Sequence, residues 1–273
     1  MIGYASLISA FMLFSAWLST PLVPQIVGQS FRCVNTQEKV VALTLDDGPN
    51  PDGTPAMLDL LEQHDIHATF FLIGNRVQQN PELAKKIWLS GHQVGNHSWS
   101  HTLMMFKSPL FMRQEIEKTD RLLRELGHQD EIYFRSPYGM KLLILPLVLR
   151  AMHKKNILFD AVGYDWSSPG VDNIVQNVLK SVRPGSIILL HDGVGNQRET
   201  IVAVDEIIKT LKAQGYRFVT VSELLKYDQK SLPGLCLERV KKMIGSCAHL
   251  VTRISSIFRT PAGQQPLNVV QTA

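Results

Sequence analysis

From Lys39 onward, short runs rich in β-branched and aromatic residues alternate with amphipathic stretches of helical length. This alternation is typical of βα units, in which a helix follows each strand and the strands form a parallel sheet. Seven candidate strands lie at 40–45, 68–73, 92–97, 132–136, 157–162, 186–191 and 217–221. Candidate helices lie between them, near 55–64, 81–90, 110–127, 141–154, 172–182 and 199–214. The pattern predicts an α/β fold, either an open doubly wound sheet or a closed barrel.

Ionisable side chains mark the ends of several candidate strands. In a barrel, the loops that follow the strands line one rim, and catalytic groups gather there. The position of these side chains therefore favours the barrel and predicts a site at its rim. The residues concerned are Asp46, Asp47, His97, Arg135, Asp165, His191 and Asp192.

The size and charge of the chain restrict the classes of function. A length of 273 residues suits one α/β barrel domain. The net charge is only +4, from 28 basic and 24 acidic residues. No basic run interleaved with aromatic residues stands out in the first 225 positions. We therefore expect no nucleic-acid partner.

The amino-terminal stretch has the composition of an export signal or a membrane anchor. Residues 1–26 contain no charged side chain, and only Pro21 and Pro24 interrupt their apolar character. An early basic residue and a clear cleavage site are both missing, so a cleaved signal and a retained single span stay open, with a buried core helix as a third alternative. Either of the first two predicts an extracytoplasmic protein that is secreted, periplasmic or anchored through residues 1–26.

The sequence thus divides into three parts. Residues 1–30 form the signal or anchor, and residues 31–227 form a single catalytic domain. Residues 228–273 form a carboxy-terminal extension, amphipathic and basic at first and of disordered composition at its end. The extension is interpreted as a helix that packs on the barrel or as a solvated tail, with contact to a membrane surface as the alternative.

Two acidic residues and two histidines indicate a metal site. Asp46 and Asp47 directly follow an apolar strand, and adjacent carboxylates are costly unless a cation lies beside them. One could bind metal while the other acts as a base; a solvated turn is the equal alternative. His97 and His101 meet on one face if their loop takes a helical turn, and with one carboxylate they would form the three-ligand set of a catalytic zinc site. In isolation, such a pair is more often two surface histidines.

Three further residues would complete an acid–base set. A buried Arg135 would keep a free carboxylate ionised, and Asp165 beside His191 would orient the imidazole and favour its protonated form. Each also has a structural interpretation: an ion-pair partner, a turn residue and a buried histidine at a strand end.

Five segments of the sequence resemble, in order, the motifs of the polysaccharide deacetylases of carbohydrate esterase family four. They are TLDDGP at 44–49, HSWSH at 97–101, RSPYG at 135–139, DW at 165–166 and LLHDG at 189–193. The resemblance extends over roughly 38–226. It implies a distorted barrel of seven or eight βα units and a hydrolase that acts on carbon–nitrogen bonds other than peptide bonds.

The resemblance also implies a role for each motif residue. Asp46 would be the general base, oriented by Arg135, and His191 the general acid, tuned by Asp165. The metal ligands would be Asp47, His97 and His101, and the divalent metal would be zinc, with cobalt or nickel as alternatives. The substrate-binding residues would be Pro137, which shapes a loop, Tyr138, whose backbone N–H meets the oxyanion, and Trp166 and Leu190, which form the walls of the acetyl groove.

The predicted function is the removal of N-acetyl groups from sugar units of a polysaccharide or oligosaccharide such as peptidoglycan or chitin. Ser136 stands where proline or alanine is more usual in the family, and the run before Asp165 lacks an acid that many relatives carry. These departures leave the sugar preference open. The alternatives are an O-acetyl esterase of the xylan type, a sugar deformylase and, from another class, a catalytically silent carbohydrate-binding protein.

Overall fold

The structure, a computed structural model, describes residues 29–139 and 144–229. The apolar segment predicted over 1–26 lies outside the described residues, as does the predicted extension except for Asp228 and Gln229. Within the described ranges, no helix has both the length and the apolar character needed to cross a bilayer.

The described residues contain eight parallel strands, six of them in one sheet and two in another. Neighbouring strands follow the order β4, β3, β2, β7, β6, and β8 pairs with the start of β2, while β1 pairs with β5. In the register of β2 and β7, Asp46 is the partner of His191. The strands are β1 Gln29–Phe31, β2 Val40–Asp46, β3 Thr69–Leu72, β4 Gln93–Asn96, β5 Lys155–Ile157, β6 Ala161–Val162, β7 Ile187–His191 and β8 Arg217–Phe218.

Single bridges connect the two sheets. Phe134 bridges Asn96 of β4 on one side and Asn156 of β5 on the other. An antiparallel bridge between Cys33 and Ser186 joins the segment after β1 to the start of β7. The predicted α/β class is confirmed, and the two sheets are connected by isolated bridges instead of continuous strands.

Three candidate strands differ from the prediction, and β1 was not predicted. The candidate at 217–221 is a strand only over Arg217–Phe218, and a helix begins at Val221. The candidate at 132–136 forms only the bridge at Phe134, because the chain after it turns into a short 3-10 helix at Pro137–Gly139. The candidate at 157–162 is divided between β5 and β6. At the division, the Asp160 carboxylate accepts a hydrogen bond from the backbone N–H of Ile187 at 3.0 Å, in place of a ladder carbonyl.

Helices surround the sheet. Two short helices, α2 and α8, were not predicted, although Thr220 and Glu223 form a capping box at the start of α8 that the sequence displays as T-x-x-E. Residues 141–143 of the candidate helix at 141–154 lie outside the described residues. The helices are α1 Thr54–Gln63, α2 Gly74–Gln79, α3 Pro81–Leu89, α4 Pro109–Glu125, α5 Ile144–Ala151, α6 Val171–Leu179, α7 Gln197–Ala213 and α8 Val221–Leu224.

The alternation of side chains along β2 separates the hydrophobic core from the site. Val41, Leu43 and Leu45 pack in the large core between the sheet and the helices. Successive side chains of a strand point to opposite faces, so Thr44 and Asp46 point to the inner side of the sheet. Every residue of β2 is buried. Asp46 therefore presents its carboxylate on the inner side of the sheet, at the end of a strand whose other face packs in the core.

Candidate active site

A cavity of about 580 Å³ lies at the carboxyl ends of the parallel strands. Its walls come from the ends of β2 and β7 and from segments after β2, β3, β4, β5, β6 and β7, which are distant in sequence. Seven residues predicted for the site line this cavity: Asp46, Asp47, His97, His101, Tyr138, Trp166 and His191.

The loop after β2 is fixed by the backbone atoms of its two aspartates. Asp47 adopts a left-handed φ of 72°, which turns the chain sharply at the strand end. The Arg76 guanidinium donates to the carbonyl oxygen of Asp47 at 2.5 Å and to that of Gly193 at 2.9 Å. The backbone N–H of Asp192 donates to the carbonyl oxygen of Asp46 at 3.1 Å. The loops after β2 and β7 are thereby joined, and both carboxylates are held in place.

Arg135 is completely buried and makes its charged contact with Asp46. Its Nη1 donates to Asp46 Oδ1 at 2.6 Å and to Thr44 Oγ1 at 2.8 Å. Its other nitrogens donate to the carbonyl oxygens of Ile157 and Leu158 at 2.9 and 3.2 Å. Burial raises the pKa of Asp46 above its ordinary value, while the guanidinium acts in the opposite direction. The result is an oriented carboxylate with increased affinity for a proton.

Asp47, His97 and His101 converge on one point. Asp47 Oδ1 lies 3.4 Å from His97 Nε2 and 3.3 Å from His101 Nε2. The ligand atoms of the three residues all lie within 4.8 Å of one another. Asp47 Oδ1 is buried and accepts no hydrogen bond from the described residues. Such a carboxylate oxygen is costly unless a cation lies beside it.

The protonation of His97 supports the same interpretation. Its Nδ1 lies 2.9 Å from the carbonyl oxygen of Arg135, which can only accept, so Nδ1 carries the proton and Nε2 presents a lone pair toward Asp47. Burial lowers the pKa of His97 to about 3, so the ring is neutral at neutral pH. Neutral imidazole and carboxylate are ligands that zinc accepts, and these three residues fit a divalent cation.

Asp165 and His191 form a second pair on another wall of the cavity. Asp165 Oδ1 lies 2.9 Å from His191 Nδ1, and Oδ2 accepts from the backbone N–H of His191 at 2.8 Å and from Thr200 Oγ1 at 3.3 Å. Burial alone would lower the pKa of His191, but the hydrogen bond and the charge of Asp165 outweigh it and raise this pKa above its usual value. The imidazole is therefore fixed in orientation and disposed to carry a proton.

The predicted substrate-binding residues have different positions. Tyr138 has a left-handed φ of 61°, and its ring centroid lies 4.7 Å from that of His101. Pro137 is buried beside it and does not line the cavity. The Trp166 ring lies 5.2 Å from the His191 ring and is 43% exposed, so it forms an open wall of the cavity.

Leu190 is placed differently from the prediction. It is fully buried in the core between the sheet and the helices, and Leu189 lines the cavity in its place. The reason is the period of two along a strand: Leu189 lies on the same face of β7 as His191, and Leu190 on the opposite face. Of the two leucines, Leu189 is the one that lines the cavity.

Several residues that line the cavity were not predicted. Asn75 and Arg76 follow β3, and Phe159 follows β5, all at the same rim as the predicted residues. Ser100 lies inside the motif at 97–101, and Val194 directly follows the motif at 189–193. Their positions after strands were visible in the sequence, but amide, apolar and single basic residues are too common in loops to be singled out there.

The chain matches the family model described as polysaccharide deacetylase over residues 34–156. It is 40% identical over 196 residues to a peptidoglycan-N-acetylglucosamine deacetylase of Bacillus cereus, and the alignment covers 71% of this chain and 92% of that relative. The chain belongs to the polysaccharide deacetylase family. The assignment made from the five motifs is confirmed.

Further members of the polysaccharide deacetylase family agree in sequence and in structure. A chitooligosaccharide deacetylase of Azorhizobium caulinodans is 30% identical over 203 residues, with coverage of 70% of this chain and 96% of the relative. A crystal structure of a peptidoglycan N-acetylglucosamine deacetylase superposes with a TM-score of 0.70 at 32% identity, covering 74% of this chain and 96% of that one. This deacetylase is therefore a hydrolase of carbon–nitrogen bonds other than peptide bonds.

Proposed function

We propose that this chain removes N-acetyl groups from sugar units of peptidoglycan or of a chitin-like glycan, releasing acetate and a free amino sugar. One observation carries the proposal: a buried carboxylate paired with arginine, a three-ligand set and a histidine paired with aspartate line the same cavity. Hydrolysis of an amide needs a base for water, a stabilised oxyanion and an acid for the departing nitrogen.

Asp47, His97 and His101 would hold a divalent cation, for which we propose zinc, with cobalt or nickel as alternatives. Such an ion supplies Lewis-acid polarisation of a carbonyl group and lowers the pKa of water. The loop after β2 holds Asp47, and the hydrogen bond from His97 Nδ1 to the carbonyl oxygen of Arg135 holds the His97 ring. These contacts hold two of the three proposed ligands in position.

Asp46 would accept the proton of the attacking water. Its Oδ1 is occupied by Arg135, whereas Oδ2 lies 3.5 Å from His97 Nε2, at the edge of the ligand set. The contact with Arg135 orients this carboxylate, and burial strengthens it as a base. The backbone N–H of Tyr138 would donate to the carbonyl oxygen of the acetyl group as that oxygen becomes negative.

His191 would deliver a proton to the nitrogen of the sugar as the C–N bond breaks. Its Nδ1 is engaged by Asp165, so Nε2 is the atom that can donate into the cavity. Trp166 and Leu189 would enclose the methyl group of the substrate, with Pro137 shaping the loop that carries Tyr138. Each proposed step thus has a positioned group in this chain.

The names of the relatives suggest where the enzyme acts. Two of them are named for peptidoglycan N-acetylglucosamine and for chitooligosaccharides, both N-acetylated glycans. Peptidoglycan lies outside the cytoplasmic membrane, and residues 1–26 have the composition of an export signal or anchor. We therefore propose an extracytoplasmic location, with association to the membrane if these residues are retained.

Acetate release by the purified protein tests the proposal. The substrates are peptidoglycan, chitin oligomers and acetylxylan, each measured with chelator and after addition of zinc, cobalt or nickel. We expect acetate from the N-acetylated glycans, loss of activity with chelator and recovery with metal. Acetate from acetylxylan alone would favour an ester substrate. Binding of glycans without any acetate release in the presence of metal would favour a silent carbohydrate-binding protein.

A further inference from the structure

An aromatic side chain lies directly outside the cavity, next to Trp166. The Tyr164 ring lies 5.2 Å from the Trp166 ring at an angle of 60°, and the Trp166 ring lies 5.2 Å from that of His191. Tyr164 is 50% exposed and is not part of the cavity wall. The three rings therefore form a row that leads from the proposed general acid to the protein surface.

The backbone holds Tyr164 in an unfavourable conformation. Its φ of 59° and ψ of 26° are left-handed, a region that costs a residue with a Cβ about 1–2 kcal/mol and that asparagine or glycine occupies more readily. Its carbonyl oxygen accepts hydrogen bonds from the hydroxyl and the backbone N–H of Ser167, at 2.8 and 3.2 Å. A large exposed ring in such a place gains nothing from core packing, and residues of this kind cluster at ligand sites.

The segment that carries Tyr164 is fixed to the sheet. The backbone N–H of Gly163 donates to the carbonyl oxygen of Leu189 at 3.2 Å. A Cβ at Gly163 would lie 2.3 Å from Cδ2 of Leu190, so the chain is pressed against β7 at that point. The position of the Tyr164 ring is therefore set by β7, the same strand that presents His191.

We propose that Tyr164, together with Trp166, binds the sugar ring adjacent to the one that is deacetylated. This inference rests on the proposed function and adds to it a residue that contacts the neighbouring sugar of the glycan chain. The C–H face of a pyranose is apolar and can pack on an aromatic face, which removes apolar surface of both from water. Trp166 is shared between the cavity and this outer subsite.

The exposed residues that follow Tyr164 in the chain suit an uncharged sugar. The next exposed residues along the chain are Trp166, Ser167 and Ser168, which offer an aromatic face and hydroxyl groups without formal charge. The backbone N–H of Asn196 donates to Ser168 Oγ at 3.1 Å, which holds this side of the rim in place. An aromatic surface flanked by hydroxyl groups is matched to a neutral N-acetylated hexose, which has an apolar face and a hydroxyl edge.

The test compares KM for chitin oligomers of increasing length, from the dimer to the hexamer, in the metal-loaded enzyme. In Tyr164→Asn, the new side chain tolerates the left-handed backbone, so the change removes the ring without adding strain. We expect KM for the hexamer to rise about tenfold, the effect of losing roughly 50 Å² of apolar contact. The preference of the enzyme for long over short oligomers should therefore largely disappear. Tyr164→Phe should keep that preference.

A matched control is His153→Asn. His153 is an exposed ring with a left-handed φ of 53°, and it precedes β5, at the amino ends of the strands and opposite the cavity. This variant should behave as the wild type at every oligomer length. If the wild type is active and KM depends on oligomer length in Tyr164→Asn as it does in the wild type, the inference about Tyr164 is overturned while the proposed function stands. No acetate from any oligomer with the wild type would instead contradict the proposed function.

Discussion

Arg135 Nη1 and Asp46 Oδ1 form an ion pair of 2.6 Å in which neither side chain is more than 4% exposed. Removing one partner of such a pair leaves the other charge buried without compensation, which is far more costly than losing a surface pair. The contact therefore links the stability of the fold to the orientation of the proposed base.

Arg135→Met should lower the free energy of unfolding by about 3–5 kcal/mol, because Asp46 remains buried without its cation. Denaturation with urea measures the change. The control is Arg113→Met, which removes a surface pair with Glu117 at 3.2 Å and should cost less than about 1 kcal/mol. Equal effects of the two substitutions would contradict the interpretation of Arg135.

Asp46→Asn should keep the metal and lose turnover. Asparagine has nearly the same shape but cannot take a proton from water, so kcat should fall by about 10²–10⁴-fold. His97→Ala should lose both metal and turnover, since it removes a proposed ligand. Metal content by mass spectrometry and kcat on one chitin oligomer distinguish the two variants. Near-normal activity of Asp46→Asn would show that another group is the base.

Asp165→Asn should move the alkaline limb of the pH profile of kcat to lower pH. Burial acts to lower the pKa of His191, and Asp165 is the main group that raises it. His191 therefore stays protonated to higher pH in the wild type than in the variant. Thr200→Val removes only a 3.3 Å contact to Asp165 and serves as the control. An alkaline limb that stays in place in Asp165→Asn would exclude His191 as the titrating acid.

Glu115→Ala should weaken metal binding although Glu115 is not a proposed ligand. Its Oε2 accepts from the backbone N–H and the hydroxyl of Ser100, both at 2.9 Å, and Ser100 immediately precedes His101. Loss of a group that orients a ligand typically costs about 10–100-fold in metal affinity. Competition with a zinc indicator measures the affinity, and Glu117→Ala on the exposed side of the same helix is the control. Wild-type affinity in Glu115→Ala would contradict this role.

His92 should make the fold sensitive to acid. Burial, followed by repulsion from His67, lowers the pKa of His92 from 6.5 to about 4. His92 therefore takes up a proton at higher pH in the unfolded chain than in the folded one. Its contribution to the free energy of unfolding is present above pH 6.5 and is lost as the pH falls toward 4. His92→Gln should lose less stability than the wild type between about pH 7 and about pH 4.5, measured by urea denaturation. A steeper loss of stability with falling pH in His92→Gln would show that His92 is not the group that makes the fold sensitive to acid.

The sequence allowed the rim of the site to be predicted because carboxyl ends of parallel strands lie on one side of a sheet. Asp46 and His191 end two strands, and the pattern of those strands was clear. The side of the sheet to which Leu190 points was not predicted correctly. In a fully apolar strand, apolar and polar residues do not alternate, so the sequence does not show which residues share a face. Arg76 was missed for a different reason: its role depends on backbone carbonyl oxygens of distant loops, which no residue type indicates.

The register between β2 and β7 makes Asp46 and His191 direct partners across two neighbouring strands. The interval between the two groups is thus set by main-chain hydrogen bonds, about 4.8 Å from strand to strand, and not by any loop. Insertions, deletions or substitutions in the connecting segments can change which side chains reach the rim while the spacing of the proposed base and the proposed acid stays constant. Divergence in substrate range and conservation of chemistry can therefore proceed independently in this scaffold.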